Sequence, residues 1–458
     1  CMMFDLVIKN GWIVSGDGIC RGDLCVVGGH IAAVMPGGGQ AEGRQNVDAT
    51  GKYIFPGGID MHAHLNDPGF TWREDFPHGS AAAVKGGITT VVDMPLQNDP
   101  STVMEQAVAE KADYLATRSF TDYALLGGLV PDHVDQIPGM WREGCVGFKS
   151  FIGPVSPDFS SMSYGQAREA LLVTAGLGAV VVFHCEDYSV IRHCESIEKR
   201  NGTGDWRAFL RSRPLSAELI AVQAIITLAA ETNARVHICH VSHPAVCSVI
   251  EDAQRRGVGV TAETCMHYLM FHAGDLLARG SMLKCAPPLR EQAAMEELWH
   301  YVGNGVLGAV VSDHSPCSAE EKVCASGSTW DAWSGISGIQ TMMQCLFSEG
   351  VVKRGISPVL IAKALAEQPA KCLDLWGRKG ALQVGFDADI VIFDPNQKWK
   401  ITEKSLDYLN PQSAFVGVTG TGMPEQVYLR GQLAVKQGEL VGACGMGQYV
   451  TPKVKTKK

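Results

Sequence analysis

Runs of consecutive apolar residues alternate with amphipathic stretches through the middle of the chain. A run of roughly four to eight apolar residues is typical of a strand buried on both faces, whereas apolar residues at every third or fourth position indicate a helix. Helical spacing is found over 103–117, 216–232 and 291–303. Eight β–α units within about 330 residues favour an α/β fold of the (β/α)8 TIM barrel type over a doubly wound sheet. The predicted strands are 58–64, 88–94, 120–127, 145–151, 179–185, 235–241, 258–265 and 307–313.

Both ends of the chain have a different texture, made of short strands and tight turns. Residues 4–9, 12–14 and 29–34 are strand-like, with a turn predicted at Asn10 and Gly11, and the same pattern returns at 387–394 and 426–435. We therefore expect a small β-sandwich domain that is formed by both chain termini. The predicted boundaries are 1–56 and 386–458 for the β-sandwich domain and 57–385 for the barrel.

Composition narrows the choice of partners and location. A net charge of -9 on 458 residues argues against a nucleic-acid surface or an anionic membrane surface. No run approaches the roughly 20 apolar residues that span a bilayer, and no signal peptide is recognised. The 15 cysteines lie mainly in apolar runs without a framework spacing, which favours reduced thiols. We expect a cytoplasmic protein that binds a small molecule and has no nucleic-acid or membrane partner.

His62 and His64 are the first candidate metal ligands. Residues two apart on a strand point to the same face, so both imidazoles can reach one ion at the end of the first predicted barrel strand. A pair of histidines with this spacing is weak evidence by itself, because a chain with 14 histidines can contain one by chance.

Four further ligand-type residues lie at or near the carboxyl ends of later predicted strands, where barrel enzymes carry their chemistry. They are Lys149, His184, His240 and Asp313. Taken singly, each histidine could be a hydrogen-bonded core residue, Asp313 a loop cap and Lys149 an ion-pair partner. Together, four imidazoles, a carboxylate and a lysine suit two borderline divalent ions.

Lys149 fits such a site only in a modified form. A free ammonium group between two cations is strongly repelled, whereas a desolvated lysine near cations loses its proton readily. The neutral amine can add carbon dioxide to form a carbamate, which supplies the bridging anion that the other residues lack. The sequence therefore predicts a carboxylated Lys149.

These residues are set in motifs that resemble the cyclic amidohydrolases, a family of allantoinases, dihydroorotases and the hydantoinase/dihydropyrimidinase group. The resemblance implies a TIM barrel with a terminal β-sandwich, a binuclear metal centre and a homotetramer. It implies that His62 and His64 hold the more buried metal and that His184 and His240 hold the more exposed one. Carboxylated Lys149 is then expected to bind both metals. It assigns Asp313 to the first metal and to general acid/base catalysis. The motifs occur at 56–64, 86–90, 147–149, 184–186, 240–242, 286–290, 312–316 and 387–391.

Two positions and three segments bear on which ring the family member opens. Dihydroorotases carry an arginine two residues after the second histidine, to pair with a substrate carboxylate, but Asn66 stands there. The hydantoinase group places a tyrosine five residues after the bridging lysine, but here that position is Pro154, and Tyr164 has the wrong spacing. The segments 93–100, 312–317 and 332–340 are similar to allantoinases, with departures at Gln97, Asn98 and Ser334. Residues 71–74 are only a loose match.

The expected reaction is metal-dependent opening of allantoin to allantoate, with another cyclic amide or imide as the alternative substrate. Zinc is the expected metal, and cobalt, manganese, nickel and iron are the alternatives. Ser315, Ala286 and Gly335 are expected to contact substrate, although Ser315 could instead cap a helix.

The sequence leaves open two alternative classes of protein and the role of one loop. A non-catalytic scaffold of the same family would lack the ligands, and a mononuclear deaminase would lack the bridging lysine. The segment 320–333, with its Gly- and Ser-rich stretch at 325–328, is either a lid or a plain surface loop.

Overall fold

The computed structural model describes residues 3–39, 41–323 and 328–453. The chain begins with a run of short strands, as the alternating pattern predicts. One correction concerns Asn10 and Gly11, which do not form a hairpin turn but a bulge inside one continuous strand. Gly11 lies so close to Ile54 that a Cβ there would be 2.4 Å from the Ile54 side chain, which explains the glycine. The five strands are β1 (Phe4–Ser15), β2 (Gly18–Val27), β3 (His30–Pro36), β4 (Gly43–Asp48) and β5 (Tyr53–Pro56).

The central part of the chain supplies parallel strands, and each predicted run overlaps at least one of them. These strands are buried on almost every position because helices cover their outer side. The strands are β6 (Gly58–Ala63), β7 (Ile88–Asp93), β8 (Asp122–Leu125), β9 (Gly127–Gly128), β10 (Phe148–Ile152), β11 (Val180–Cys185), β12 (Arg235–Ile238), β13 (Val260–Cys265) and β14 (Ala309–Val311).

The central strands form two parallel sheets, in the orders β6-β7-β8 and β14-β13-β12-β11-β10-β9. Hydrogen bonds connect the sheets at both junctions. At one junction, Leu126 N donates to Asp93 O over 3.2 Å and Val146 N donates to Leu125 O over 3.0 Å. At the other, His64 N donates to His314 O over 2.8 Å. The carboxyl ends of all these strands therefore face the same side of the molecule.

Helices follow the central strands, and several begin at side-chain caps. Asp75, Ser163 and Asp187 each accept a hydrogen bond from a backbone N–H in the first turn of the helix that follows. The α-helices are α1 (Phe76–Lys85), α2 (Glu105–Leu115), α3 (Ile137–Arg142), α4 (Tyr164–Leu177), α5 (Tyr188–Arg200), α6 (Trp206–Ser212), α7 (Leu215–Thr232), α8 (Pro244–Arg255), α9 (Ala273–Arg279), α10 (Gln292–Asn304), α11 (Ala319–Val323), α12 (Met342–Leu346), α13 (Val359–Ala362) and α14 (Gln368–Cys372).

Shorter helical turns complete the chain. The 3₁₀ segments are Pro131–Gln136, Met266–Leu269, Gly280–Leu283, Ile339–Thr341 and Glu403–Ser405, and Phe347–Lys353 and Lys363–Glu367 are π-helical. One stretch, Trp206–Thr232, is long and apolar enough to cross a membrane by length and composition alone. Its longer helix, α7, packs against α4, α8 and the strands β11 and β12, so that Ala221, Val222 and Ile225 are buried.

The chain ends in four strands that pair with those of the amino terminus. They are β15 (Ile390–Lys400), β16 (Thr419–Leu429), β17 (Gln432–Lys436) and β18 (Glu439–Leu440). The resulting sheet has the order β18-β17-β16-β15-β5-β1-β2-β3, with β4 beside β1. β15 runs antiparallel to β5 and joins the two ends of the chain directly. A separate cluster of buried residues, including Ile8, Ile54 and Ile390, forms the apolar core of this sheet.

Candidate metal centre and active site

Nine residues predicted to form the site line one cavity of about 340 Å³. The cavity lies at the carboxyl ends of the central strands, where side chains from different strands converge. The predicted residues that line it are His62, His64, Lys149, His184, His240, Ala286, Asp313, Ser315 and Gly335.

The first group of ligands joins two strands that are distant in sequence. His62 lies in β6, His64 follows it, and Asp313 comes two residues after β14. Asp313 Oδ1 is 3.2 Å from His62 Nε2 and 3.4 Å from His64 Nε2. These three ligand atoms lie within 4.8 Å of one another, which is close enough to hold one metal ion.

The second group consists of two imidazoles from neighbouring strands. His184 is in β11, and His240 lies two residues beyond β12. His184 Nδ1 and His240 Nε2 are 2.9 Å apart. The ring of His240 is also 5.3 Å from the ring of His62, measured between centroids, so the two groups share one site.

Lys149 lies in β10 and is fully buried beside both groups. Its Nζ is 3.1 Å from Cys239 Sγ and 4.8 Å from the centroid of the Phe151 ring. Within the described ranges, no carboxylate forms an ion pair with this ammonium group. Burying a lysine in this way is costly unless its charge is removed or balanced.

The backbone at two of the ligands is strained. His240 has a φ of 37° and Asp313 a φ of 43°, values in the left-handed region that residues with a Cβ rarely adopt. Such conformations persist where the surroundings enforce them, and they concentrate at functional sites. Both residues lie two positions beyond the end of a strand, where the strained backbone places them at the mouth of the site.

Two carboxylates that sequence reasoning missed hold the imidazoles in place. Glu263, on β13, lies with Oε1 2.5 Å from His62 Nδ1. Glu186 lies with Oε2 2.8 Å from His184 Nε2, and the same oxygen accepts a hydrogen bond from Arg213 over 2.5 Å. The available signals were a charged residue inside an apolar strand for Glu263 and the adjacent His184-Cys185-Glu186 motif for Glu186.

The electrostatics favour the neutral form of two imidazoles, His62 and His240, and the ionised form of Asp313. Burial lowers the pKa of His62, and the nearby charge of Lys149 lowers it further. Burial, followed by the neighbouring His184, holds the pKa of His240 well below its usual range. Burial alone would raise the pKa of Asp313, but His62 and His64 outweigh it, and the net shift is downward. These are the protonation states that metal ligands require.

The residues present fit a pair of divalent ions. The donor set of imidazoles and one carboxylate is typical of zinc and similar metals. Among the described residues, the buried atoms His64 Nδ1 and His240 Nδ1 have no hydrogen-bond partner. Unsatisfied ring nitrogens at this depth are unusual, and they leave coordinating capacity within the site.

The cavity wall bears on the predicted substrate contacts. Ser315, Ala286 and Gly335 all line it, and a Cβ added to Gly335 would lie 2.5 Å from Ser315 Oγ. The helix-cap interpretation of Ser315 is wrong, because Ser318 Oγ accepts the hydrogen bond from Glu321 N at the start of α11. From the segment 320–333, for which the sequence predicts either a lid or a surface loop, Trp330 and Trp333 line the cavity, whereas 324–327 lie outside the described residues.

The residues used to compare rings are also located. Pro154 lines the cavity, whereas Tyr164 and Asn66 do not. The hydroxyl of Tyr164 donates to Asp187 Oδ2 over 2.8 Å, and the Asn66 amide donates to His64 O over 3.1 Å. Gln97 does line the cavity, and its buried Oε1 has no partner in the described part of the chain.

Four other histidines lie outside the lining of this cavity. His237 contacts Glu263, and His243 caps α8. His314 accepts a hydrogen bond from Gly338 N over 3.2 Å. His267 is buried with both ring nitrogens unpartnered among the described residues, and burial lowers its pKa to about 4.

Comparison with known proteins defines the class. Residues 53–133 and 161–434 match the model of the Amidohydrolase family. The chain therefore belongs to the amidohydrolase family of hydrolases. Lys149 falls between the two matched stretches, so its part in the site depends on the geometry described above.

Individual relatives include two kinds of enzyme. The chain is 34% identical over 458 residues to an allantoinase of Escherichia coli, covering 98% of this chain and 99% of the relative. It is 34% identical over 439 residues to an allantoinase of Salmonella newport, with coverage of 94% and 95%. Among solved structures, the L-hydantoinase (dihydropyrimidinase) from Arthrobacter aurescens has a TM-score of 0.96 and 33% identity, with coverage of 98% and 100%. The D-hydantoinase from Thermus sp. has a TM-score of 0.90 and 26% identity, with coverage of 98% and 99%.

Proposed function

We propose that the protein hydrolyses a C–N bond of a cyclic amide, with allantoin as substrate and allantoate as product. The observation that carries the proposal is the single cavity in which four buried imidazoles, Asp313 and Lys149 converge. The full-length similarity to allantoinases supports the choice of ring.

Two divalent ions would be held by His62, His64 and Asp313 on one side and by His184 and His240 on the other. When bound, such a pair lowers the pKa of water and polarises the amide carbonyl. Zinc is the proposed metal on the basis of its preference for nitrogen and oxygen ligands. Glu263 and Glu186 fix the orientation of one imidazole in each group.

Asp313 is the proposed general base and acid. Its carboxylate is ionised and lies against His62 and His64 at the mouth of the site. It accepts the proton of the attacking water as the oxygen–carbon bond forms, and it returns that proton to the ring nitrogen as the carbon–nitrogen bond breaks. The electron pair of the broken carbon–nitrogen bond stays on the ring nitrogen, which takes up the proton that Asp313 removed from water.

Lys149 is proposed to be carboxylated. The neutral Nζ adds carbon dioxide and releases a proton, so that a buried cation becomes an anion between the two groups of ligands. The complete burial of Lys149 and the absence of a carboxylate partner within the described ranges support this modification. Intact-mass measurement under native conditions, with and without added bicarbonate, tests it directly.

The alternative substrate is hydantoin or dihydropyrimidine, and the observation favouring it is the likeness to the L-hydantoinase from Arthrobacter aurescens. Against it, the position five residues after Lys149 is Pro154, and the described lining of the cavity contains no tyrosine. A tyrosine hydroxyl would otherwise be expected to stabilise the developing oxyanion.

Side-by-side assays test the proposed ring. Zinc-loaded protein is supplied with allantoin, hydantoin, dihydrouracil and dihydroorotate, and ring opening is measured for each. We expect allantoin to have the highest kcat/KM. A higher value for hydantoin or dihydrouracil would overturn the proposed substrate while leaving cyclic amide hydrolysis intact. No turnover of any ring with two bound metals would overturn both.

A pair of substitutions tests the proposed roles. Asp313→Asn should lower kcat by a factor of about 100 or more, because a general base of this kind contributes roughly that much, while circular dichroism stays unchanged. Lys149→Ala should abolish activity and reduce the bound metal from two ions towards one. Full activity and two bound metals in Lys149→Ala would contradict the bridging role.

We also propose the closure of the barrel, the composition of the terminal domain, and the location and oligomeric state of the protein. The two parallel sheets form one closed (β/α)8 barrel over 57–385, supported by the hydrogen bonds at both junctions. Residues 1–56 and 386–458 form a terminal β-sandwich domain, supported by the pairing of β5 with β15. A cytoplasmic location is proposed because the thirteen described cysteines are all free. A homotetramer is proposed from the family resemblance.

A further inference from the structure

A second cavity lies at the opposite end of the central sheet from the metal centre. It measures about 270 Å³ and is bordered by the first residues of four consecutive strands, Val180, Arg235, Val260 and Ala309. These positions are the amino-terminal ends of β11 to β14, so the cavity is separate from the site proposed for cyclic amides. Cys372, His237 and Thr261 also line it.

Cys372 lies beside His237, and both ring nitrogens of this histidine are within hydrogen-bond distance of other side chains. Cys372 Sγ is 3.5 Å from His237 Nδ1 and 3.6 Å from Thr261 Oγ1. His237 Nδ1 is 2.7 Å from the same threonine hydroxyl, and His237 Nε2 is 3.1 Å from Glu263 Oε2. Because acceptors face both nitrogens, the ring can hold two protons and serve as a cation beside the thiolate.

The surrounding charges favour the ion pair. Arg235 and Lys371 both line the cavity, although Asp374 and Glu367 respectively also bind them. Burial alone would raise the pKa of Cys372, but the positive charge of His237 outweighs it and the pKa is lowered. Burial alone would lower the pKa of His237, but Cys372 and Glu263 raise it to about 10.

Other buried cysteines behave in the opposite way to Cys372. Burial raises the pKa of Cys145, Cys247 and Cys345, which have no such histidine partner among the described residues to offset it.

We propose that Cys372 is an oxidation site, at which the thiolate paired with His237 attacks hydrogen peroxide that enters this cavity and becomes a sulfenic acid. A bond forms between Sγ and one peroxide oxygen as the oxygen–oxygen bond breaks. The sulfur is oxidised by two electrons and the peroxide is reduced. The second oxygen leaves as hydroxide and takes the proton from His237 to become water.

Hydrogen peroxide with dimedone trapping tests the proposal on the full-length, metal-loaded protein. Mass spectrometry of peptides follows the label on Cys372 and on the exposed cysteines Cys20 and Cys444. We expect Cys372 to be labelled at least about ten times faster than either at pH 7, although its residue is only 8% exposed. Labelling no faster than Cys20 and Cys444 would overturn the proposal.

Two further measurements separate reactivity from structure. His237→Gln should slow labelling of Cys372 at least about tenfold, whereas His243→Gln, which alters the amino-terminal cap of α8, should leave the rate unchanged. If His237→Gln fails to fold, the wild-type protein still decides the matter through alkylation by iodoacetamide. We expect the rate of Cys372, relative to the rates of Cys20 and Cys444, to rise as the pH is lowered from about 8.5 to 6.5, and a constant ratio would contradict the thiolate pair.

Discussion

Glu263 holds two imidazoles at once, and this makes it the main support of the metal centre. One oxygen lies 2.5 Å from His62 Nδ1 and the other 3.1 Å from His237 Nε2. The burial of Glu263 would raise its pKa, but the adjacent histidines outweigh this and lower it, so the group is ionised. An ionised acceptor fixes the proton of His62 on Nδ1 and leaves Nε2 free to bind metal.

Glu263→Gln should therefore weaken metal binding about 10- to 100-fold, because an amide is a poorer acceptor and fixes the ring less firmly. Competition with a chelator measures the affinity. Glu291→Gln is the matched control, since Glu291 Oε1 lies 3.1 Å from His243 Nε2 in a similar pair away from the site. Equal affinities in both variants would show that Glu263 does not support the metal centre.

The same residues show what can be learned from sequence alone. His62, His184 and Asp313 could be predicted because each follows an apolar run, and the ends of parallel strands converge. The position of Glu263 in an apolar strand is a signal, but its role could not be predicted, because its partner His62 is 201 residues away and no local pattern links them. Contacts between strands that are distant in sequence depend on how the strands are arranged in space, which a strand-by-strand prediction does not contain.

The segment that carries Trp330 and Gly335 is held by two buried lysines, which is unusual for a loop. Lys284 Nζ donates to Trp330 O over 3.2 Å and to Ala332 O over 2.6 Å. Lys322 Nζ donates to Trp333 O over 3.2 Å and also to Gly335 O. Burial lowers the pKa of both ammonium groups to about 8. The cavity wall is thus held by two lysines whose pKa values are unusually low, so that they lose their protons at a lower pH than exposed lysines do.

Lys322→Met tests this through the pH dependence of stability. Between pH 8 and 10.5 the unfolded chain retains a proton on Lys322 that the folded chain has released, so the contribution of this group to the free energy of unfolding rises with pH. The stability of wild type minus that of the variant should increase over this window, by about 3 kcal/mol at most. Thermal unfolding midpoints at a series of pH values measure it. Lys398→Met, at an exposed position of β15, is the control, and an equally flat difference for both variants would contradict the argument.

Strands and helices are easier to predict from the sequence than the loop that carries Trp330 and Gly335. The central strands could be predicted because a strand covered on both faces is a continuous apolar run. The turn at Asn10 and Gly11 was predicted wrongly, because these two residue types suit a bulge with a positive φ as well as a hairpin. The local sequence does not distinguish the two, and the close approach of Ile54 decides the outcome.

A buried cluster of charges connects the carboxyl-terminal part of the chain to the central strand β8. Lys379 Nζ lies 2.5 Å from Asp122, 2.9 Å from Asp387 and 2.7 Å from Asp389. Asp122 belongs to β8, whereas the other two aspartates precede β15. The three carboxylates could hold a metal ion by their spacing, but the ammonium group of Lys379 takes that place. Arg430 and Arg378 complete the balance by binding Asp122 and Asp387.

Lys379→Met should destabilise the whole protein, because it leaves buried carboxylates without their shared cation. Removing one partner of a buried ion pair costs roughly 3–5 kcal/mol, and thermal unfolding should begin several degrees lower. Lys353→Met is the control, since Lys353 pairs with Glu349 one helical turn away and is largely exposed, so its loss should cost less than about 1 kcal/mol. If both variants unfold together with wild type, the cluster does not join the terminal sheet to the central strands energetically. A transition that splits into two steps in Lys379→Met alone would show that the cluster makes the two parts unfold as one.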